Sequence, residues 1–148
     1  KRYRRFLIAF EVQPFAKKLV QSIVTKNTLA EETISVDTYY ETPIKINLEA
    51  TGSVDININD TTIHFDNLEV PIIIDGELMN VSDGKGVNKN NLMTGNFPKL
   101  KPGNNTISIL CESPSTFTKM TIEYRSLWLW LDYMKEMKQT SNTMVLGF

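Results

Sequence analysis

The sequence contains a single histidine, His64, and a single cysteine, Cys111, among its 148 residues. One cysteine excludes an intrachain disulfide, and with it the class of small secreted folds that disulfides hold together. One histidine argues against the Ser–His–Asp and Cys–His arrangements of nucleophilic catalysis, because no second imidazole is available to replace it. We therefore expect a protein that is not an enzyme.

An excess of charge is also absent, since 16 basic residues face 17 acidic ones and the formal net charge is −1. Such a balance creates no long-range field that would attract nucleic acid or an anionic membrane. For the basic stretch 1–5, a solvated strand face is favoured over a phosphate-binding arm. No apolar run approaches 18 residues. Neither nucleic acid nor a membrane is expected as a partner.

Candidate sites for a metal or a reaction are few and incomplete. The stretch 83–88 has the composition of a calcium loop, but it lacks alternating oxygen ligands and a closing glutamate. Lys85 and Lys89 would moreover repel the ion. Asp75 and Glu77 would share a strand face, as a carboxylate pair for glycoside hydrolysis could, yet nothing distinguishes them from a solvated turn entrance. We expect no metal and no cofactor.

Alternation of apolar and polar residues, which is typical of a half-buried strand, is clearest from residue 44 onward. The runs 44–48, 54–58 and 63–65 all show it. Gly52–Ser53 is predicted to form a turn between the first two runs, and Asn59–Asp60 to form a tight hairpin turn that needs positive φ. Further strands are predicted over 106–112 and 119–125, with less regular ones over 3–12, 19–25 and 33–38.

Many short strands, with turns about every 8 to 12 residues, predict an all-β protein built as an antiparallel β-sandwich. The length is that of one ordinary domain. Cys111 follows Ile107 and Ile109 at period two, which predicts a buried and unreactive thiol on the apolar face of a strand. His64 alternates with apolar neighbours and is predicted to point away from the core.

The C-terminal part allows two interpretations. As a helix, its apolar residues from position 127 recur at spacings of three and four, with Ser126 as a candidate N-cap. As a strand, it places Trp128 and Trp130 on one face. We favour a strand to about Trp128, followed by a short C-terminal helix within 129–148. The apolar side chains of Trp128, Trp130 and Tyr133 either close the core of the sandwich or pack on another chain.

The stretch 72–108 is a polar, glycine-bearing excursion between apolar strands. Three of its glycines permit backbone angles that other residues avoid, and its two prolines fix φ and remove hydrogen-bond donors. We interpret it as a long, patterned connection between strands, and it does not resemble an active site.

Three parts of the sequence resemble a known family. IIIDGELMNV and the following NKNNLMTGNFPKLKPGNNTIS are similar to the C-terminal domain of the distal tail proteins of long-tailed siphophages and related prophages. FLIAFEVQPF, over 6–15, resembles the strand with which the N-terminal ring domain of that family passes into the C-terminal one. PIKINLEATGSVDININDTTIHF, over 43–65, resembles the hairpin that opens the C-terminal domain. The resemblance covers about residues 5–128, and the pairing of ELMN with FPKLKPGNNTI is its most specific part.

The resemblance implies a galectin-like β-sandwich over 43–128. Residues 1–42 would be the end of the ring domain with its connecting strands, and 129–148 a C-terminal tail. Distal tail proteins are structural: they form a hexameric ring that joins the tail tube to the tip or hub protein, and they hold receptor-binding or other side proteins. The expected location is the virion, after assembly in the bacterial cytoplasm.

The chain begins with lysine, so we expect it to continue a longer product. Because most of the ring domain would then lie outside it, the chain alone is not expected to form the hexamer.

Partner contacts are predicted on two surfaces, the exposed glycine-rich loop 82–91 and the aromatic residues near the C-terminus. The residues concerned are Ser82, Asp83, Lys85, Asn88, Lys89, Asn91, Trp128, Trp130 and Tyr133.

A carbohydrate-binding sandwich that assists attachment to the host surface is the alternative function. Such sites place an exposed aromatic ring beside hydrogen-bonding residues on one sheet face. The outward positions of the central strands offer hydrogen bonds but no ring for stacking, which favours the structural role over carbohydrate binding. These positions are Lys45, Asn47, Asp55, Asn57, Thr62 and His64.

Overall fold

The computed structural model describes residues 15–18 and 21–129. Within these residues all strand pairs are antiparallel, and the only helical element is the 3₁₀ turn Asn90–Leu92. The prediction of an all-β, antiparallel sandwich is confirmed. The basic stretch 1–5, the predicted strand 3–12 and the predicted C-terminal helix lie outside the described residues.

Twelve strands make up the described part of the chain. They are β1 (Phe15–Lys17), β2 (Ser22–Lys26), β3 (Glu32–Val36), β4 (Thr42–Ile58), β5 (Thr61–Leu68), β6 (Ile72–Asp75), β7 (Asn80–Asp83), β8 (Met93–Gly95), β9 (Lys99–Leu100), β10 (Gly103–Cys111), β11 (Thr116–Tyr124) and β12 (Leu127–Leu129).

Strand β4 is central to both layers of the sandwich. Its first half, 44–51, pairs with β11 on one side and β6 on the other, which gives a first sheet in the order β2-β11-β4-β6-β7. Its second half, 54–58, pairs with β10 and β5, which gives a second sheet in the order β3-β10-β4-β5-β8. One strand therefore connects the two layers through their centres.

The core lies between these layers and is almost entirely aliphatic. Even-numbered residues of β4 are buried on both sides of its midpoint, from Ile46 in the first sheet to Ile56 in the second. Phe65 on β5, Leu100 on β9 and Met120 on β11 are fully buried in the same cluster. Because all the even positions of β4 face the interior, both halves of the strand contribute to one core.

Strand β4 changes sheets at Gly52, where the pairing with β5 shifts register between Gly52 and Val54. Gly52 has φ +80°, and a Cβ at this position would lie 2.3 Å from the Ser115 hydroxyl oxygen. The amide of Ser53 donates to that same hydroxyl at 2.8 Å. The prediction of a turn at Gly52–Ser53 is therefore wrong: both residues lie within one continuous strand that bends here, and the extra residue of the register shift lies in β5, where residues 66 and 67 oppose Ser53 alone.

The predicted hairpin turn at Asn59–Asp60 is confirmed. Ile58 pairs with Thr61 across it, and Asn59 has the required positive φ of 53°. The Asn59 amide group also donates to the side-chain oxygen of Asn105 at 2.9 Å, which ties the turn to β10.

A small ribbon at one end of the sandwich joins β1 to β12, with Phe15 opposite Leu129. As predicted, the chain forms a strand at Trp128, but this strand, β12, is separate from β11. Strand β11 ends at Tyr124, and the buried hydroxyl of Ser126 donates to the carbonyl of Asp37, which redirects the chain into the ribbon.

Strand β2 is an outer strand of the first sheet, and β3 is an outer strand of the second. Both precede the predicted domain boundary at residue 42. The boundary itself, and the ring domain placed before it, stay predictions.

Candidate functional site

The loop 82–91 begins with the last two residues of β7 and is held in place by hydrogen bonds within the loop. One carboxylate oxygen of Asp83 accepts hydrogen bonds from the amides of Lys85 and Val87, both at 2.9 Å. The hydrogen bond from the Val87 amide is the main cause of the lowered pKa of Asp83. Gly86, at φ +80°, allows the chain to reverse without a side-chain clash. Asp83 thus acts as the internal anchor of the loop.

The returning half of the loop lies against β7. The amide of Lys89 donates to the carbonyl of Val81 at 2.7 Å, and the side chain of Asn88 donates to that of Asn80 at 2.9 Å. The side-chain oxygen of Asn90 accepts from the amide of Val81. The turn is therefore held at its base from both sides, while Lys85 and Asn91 are exposed.

Asp83 and the turn that follows it lie at the end of β7 that is farther from the β1–β12 ribbon. Asp83 pairs with Ile72 and Ile72 pairs with Leu48, whereas Thr42 lies near the ribbon through its hydrogen bond to the Arg125 carbonyl at 2.7 Å. The six-residue step from Thr42 to Leu48 corresponds to about 20 Å of extended strand. Loop and ribbon consequently mark separate regions of the sandwich.

A shallow cavity of about 310 Å³ adjoins the loop. Val70, Ile72 and Leu92 supply apolar surface, while Asp83 and Lys89 contribute opposite charges. A lining of this kind suits an apolar side chain from a partner with a polar or charged neighbour. The cavity therefore extends the candidate contact surface beyond the loop itself.

The second predicted surface is only partly described, since Trp130 and Tyr133 lie outside the described residues. Trp128 is half-buried and packs on Tyr39, with ring centroids 5.2 Å apart, while the Lys18 ammonium lies 4.6 Å from the centroid of the indole ring. Trp128 thus contributes to a cluster within its own chain. Sequence reasoning missed Tyr39, because long-range hydrogen bonds, among them that from its amide to the Leu127 carbonyl, bring the two segments together.

Of the predicted contact residues, the structure brings together the six in loop 82–91. It places Trp128 apart from them, at the ribbon end. The described residues of the two predicted surfaces therefore lie apart from each other.

The metal and glycosidase alternatives find no support in the described part of the chain. No three histidine, cysteine, aspartate or glutamate side chains lie close enough there to hold a metal ion. The carboxylate of Asp75 accepts the amides of Glu77 and Leu78 at 3.0 and 2.9 Å, whereas the carboxylate of Glu77 pairs with Lys17. The two carboxylates therefore have different structural partners.

His64 lies outside the core, as predicted, but it is not isolated. Its Nδ1 atom contacts the carboxylate of Asp55, and its Nε2 atom lies 2.9 Å from the carboxylate of Asp66. The hydrogen bond to Asp55, followed by that to Asp66, raises the pKa of His64. Two acceptors, one on each ring nitrogen, favour the doubly protonated imidazolium.

The sequence contains a pattern that predicts this arrangement. A hairpin with a two-residue turn at Asn59–Asp60 sets Ile58 opposite Thr61, and counting back three pairs sets Asp55 opposite His64. A histidine held between two carboxylates is not an available general base, so the arrangement adds no candidate catalytic centre.

Cys111 is half-buried at the end of β10 and packs against the core. Burial raises the pKa of its thiol, which lowers the thiolate fraction and with it the reactivity. The thiol lies on the apolar side of the strand, as predicted, but it is half-buried and not buried; its raised pKa agrees with the predicted low reactivity.

The outward polar residues of the central strands bind one another. Asn47 donates to Glu123 at 3.0 Å, and Thr62 donates to Asn57 at 2.7 Å. Together with the Asp55–His64 contact, these pairs occupy much of the hydrogen-bonding capacity that a sugar would require. No aromatic ring lies among the outward positions named for the central strands, so the structure provides no stacking platform there.

Comparisons of the chain with protein-family models, with curated proteins and with solved structures gave no match. In the described residues, no helix has both the length and the apolar character needed to cross a membrane.

Proposed function

We propose that the chain is a structural component of a phage tail tip, a distal tail protein whose sandwich holds side proteins such as a receptor-binding protein. The motifs IIIDGELMNV and NKNNLMTGNFPKLKPGNNTIS are the basis of this proposal. The all-β, antiparallel sandwich agrees with the fold that the resemblance implies. Its work is binding, which depends on surface area and complementarity and requires no reactive residue.

The main support for this proposal is that two surfaces are separate: the β1–β12 ribbon, where the sandwich would be attached, and loop 82–91, where it would contact a partner. Phe15 and Leu129 are paired neighbours in the ribbon, so the chain enters and leaves the sandwich at one place. Asp83, beside the exposed turn of loop 82–91, lies at the level of Leu48, about 20 Å along β4 from Thr42 near the ribbon. A sandwich attached through its ribbon would present this loop to a neighbouring protein.

The loop is also suited to docking because its backbone is fixed before a partner arrives. Asp83 holds two amides of the turn, and Lys89 and Asn90 tie the return to Val81. A pre-ordered contact segment loses little conformational entropy on binding, so more of the contact energy appears as affinity. The exposed Lys85 and the nearby Lys89 favour an acidic rim on the partner.

The test is electron microscopy of intact particles, or of a tail tip reconstituted from the full-length protein and its neighbours. We expect six copies around the tail axis, with loop 82–91 against a second protein. Lys85→Glu and Lys89→Glu should remove or weaken the density of the docked protein. Lys101→Glu, an exposed lysine outside the loop, serves as the control and should leave it unchanged.

Particles in which this chain is absent, or in which it occupies no position near the tail axis, would overturn the proposal. A chain that is present on the axis but whose loop 82–91 faces solvent would overturn the assignment of the docking surface. In that case a glycan-binding assay becomes the measurement that decides whether carbohydrate is the ligand.

A further inference from the structure

The outer edge of β2 differs from the other sheet edges of the sandwich. Within the described residues, β2 pairs on one side only, with β11. Its side chains at positions 23 to 25 are all β-branched, and Ile23 is 63% exposed on the outer face of the sheet. An exposed β-branched edge strand is a template for pairing with another strand.

The charged residue of β2 does not protect this edge. Lys26 is only 2% exposed, and its ammonium group donates to the carbonyl of Ala30 and lies 3.0 Å from the carboxylate of Glu32. A lysine that pointed outward would discourage pairing, because its charge would have to be desolvated. Since this lysine points inward, the outer edge of β2 carries no charged side chain.

The remaining edges of the two sheets are less suited to pairing. Beside β7, the returning loop forms a bridge between Ser82 and Asn88 that covers part of the edge. Strand β8 has only three residues and ends at Gly95 with φ +115°. The exposed side chains of β3 are polar, namely Thr33 and Ser35.

We infer that β2 is a contact strand that pairs antiparallel with β2 of a second copy of this chain. Pairing about a two-fold axis at Val24 sets Ile23 opposite Thr25 of the second copy, with both side chains on the outer face. Two Ile23 side chains then lie diagonally across the axis, within reach of each other. The pairing joins the first sheet of one copy to the first sheet of the other, so that they form one continuous sheet. An edge that pairs with the same edge of a second copy satisfies the symmetry of a two-fold dimer.

This contact does not depend on the proposed tail function. Neighbouring copies in a ring are related head to tail, whereas a two-fold contact joins identical surfaces. The β2 contact would therefore link free chains, or chains of two facing rings. One pair of five-residue strands belongs to the class of small contacts below about 1,200 Å², so we expect a weak dimer with a dissociation constant on the order of 100 μM.

Sedimentation of the chain over a range of concentrations tests the dimer. We expect wild type to pass from monomer to dimer, and Ile23→Lys to weaken the association at least about tenfold, because the new ammonium would lie at the paired edge. Thr33→Lys, on the edge of the other sheet, is the matched control and should associate like wild type. Circular dichroism verifies that each variant folds.

Disulfide trapping tests the register, in a Cys111→Ser background that leaves no other thiol. Chains carrying Ile23→Cys are mixed with chains carrying Thr25→Cys and oxidised, and the proposed register predicts that the mixed disulfide dominates over both homodimers. A wild-type chain that stays monomeric up to about 1 mM, ten times the expected dissociation constant, would refute the inference. Equal loss of association in Ile23→Lys and Thr33→Lys, or trapping without preference for the mixed pair, would refute it as well.

Discussion

Single polar residues in this protein are held by neighbours that are distant in sequence or by their own loop. His64 lies between carboxylates from β4 and from its own strand, and Asp83 holds the amides of the turn that follows it. Both groups have shifted pKa values for these reasons, one raised and one lowered. Each shift leads to a measurable dependence of the structure on pH or on substitution.

For His64 we expect stabilisation of the fold at low pH. Because the folded-state pKa is raised above 6.5, the contribution is complete below that pH and is lost as pH rises through the folded-state pKa. The side chain is 40% exposed, so solvent screening limits the effect to about 1 kcal/mol or less. His64→Gln should therefore be less stable than wild type by urea unfolding at about pH 5, and nearly equal at about pH 9. A constant difference at both pH values would contradict the assigned imidazolium.

For Asp83 we expect an effect on the order of the loop. Asp83→Ala removes the acceptor of the Lys85 and Val87 amides, so both should exchange their hydrogens faster while the core amides keep their protection. Asp83→Asn keeps an oxygen acceptor and should restore part of the protection. Because the folded-state pKa is lowered, wild type should lose the same loop protection as pH falls through that pKa. Equal exchange in wild type and Asp83→Ala would show that the carboxylate does not order the loop.

Among the elements, β4 explains most of the architecture. A strand of 17 residues would be about 55 Å long if straight, which exceeds what either sheet needs. The bend at Gly52, where the register with β5 shifts, divides it into two useful lengths, and the Ser115 hydroxyl accepts a hydrogen bond from the amide of Ser53 beside the bend. The conformation of this one glycine therefore decides how the two layers meet.

A series of three glycine substitutions separates two costs to stability, that of a side chain at positive φ and that of steric overlap with a neighbouring residue. Gly84→Ala meets no atom within 4 Å and should change stability little. Gly103→Ala, at φ +83° in open space, should cost about 1 kcal/mol of backbone strain. Gly52→Ala combines φ +80° with a Cβ 2.3 Å from Ser115 and should cost about 2 to 4 kcal/mol. Urea unfolding gives the order of stability of the three variants, and a Gly52→Ala variant as stable as Gly84→Ala would contradict the role of Gly52 in the bend.

Sequence patterns predicted the strands of the core better than their connections. Alternation identified the buried face of both halves of β4, because Ile46, Ala50, Val54 and Ile56 all have even numbers. The same parity holds whether the chain turns back or only bends at Gly52, so alternation could not distinguish a hairpin from a bend. Only the cross-strand pairing, with β11 before the bend and β10 after it, distinguishes the two.

The contact surfaces were predictable to different degrees for a similar reason. Loop 82–91 is one continuous segment of the chain, and its glycines and polar residues predict an exposed turn. The packing of Trp128 on Tyr39 requires two segments that are 89 residues apart to meet in the ribbon region, as in the hydrogen bond from the Leu127 amide to Thr38. Local sequence patterns carry no information about which distant segments come into contact.

At the scale of the whole molecule, the shared strand couples the two sheets. Neither sheet can lose β4 without losing its central strand, and the core residues of both belong to one cluster. The described sandwich should therefore unfold in a single cooperative transition.

Phe65→Ala tests this coupling. Phe65 is fully buried on β5 in the second sheet, and its truncation should cost about 3 to 5 kcal/mol. If the sheets unfold together, hydrogen exchange should report the same loss for the amides of Ile46 in the first sheet and Ile56 in the second. Leu78→Ala, at a side chain that is 74% exposed, is the control and should change neither. A loss confined to Ile56 would show that the sheets open independently.

The ribbon determines how the molecule would respond to mechanical load. Phe15 and Leu129 are opposed at the end of an antiparallel pair, so tension between them peels three residue pairs one after another, the geometry that resists force least. The force would separate this ribbon before it reached a strand of the core. A force applied to loop 82–91 is transmitted through β7 and β6 to the centre of the first sheet. There it acts parallel to the strands and loads several hydrogen bonds at once. The protein is therefore compliant where the chain enters and leaves and stiff where we propose that it carries a partner.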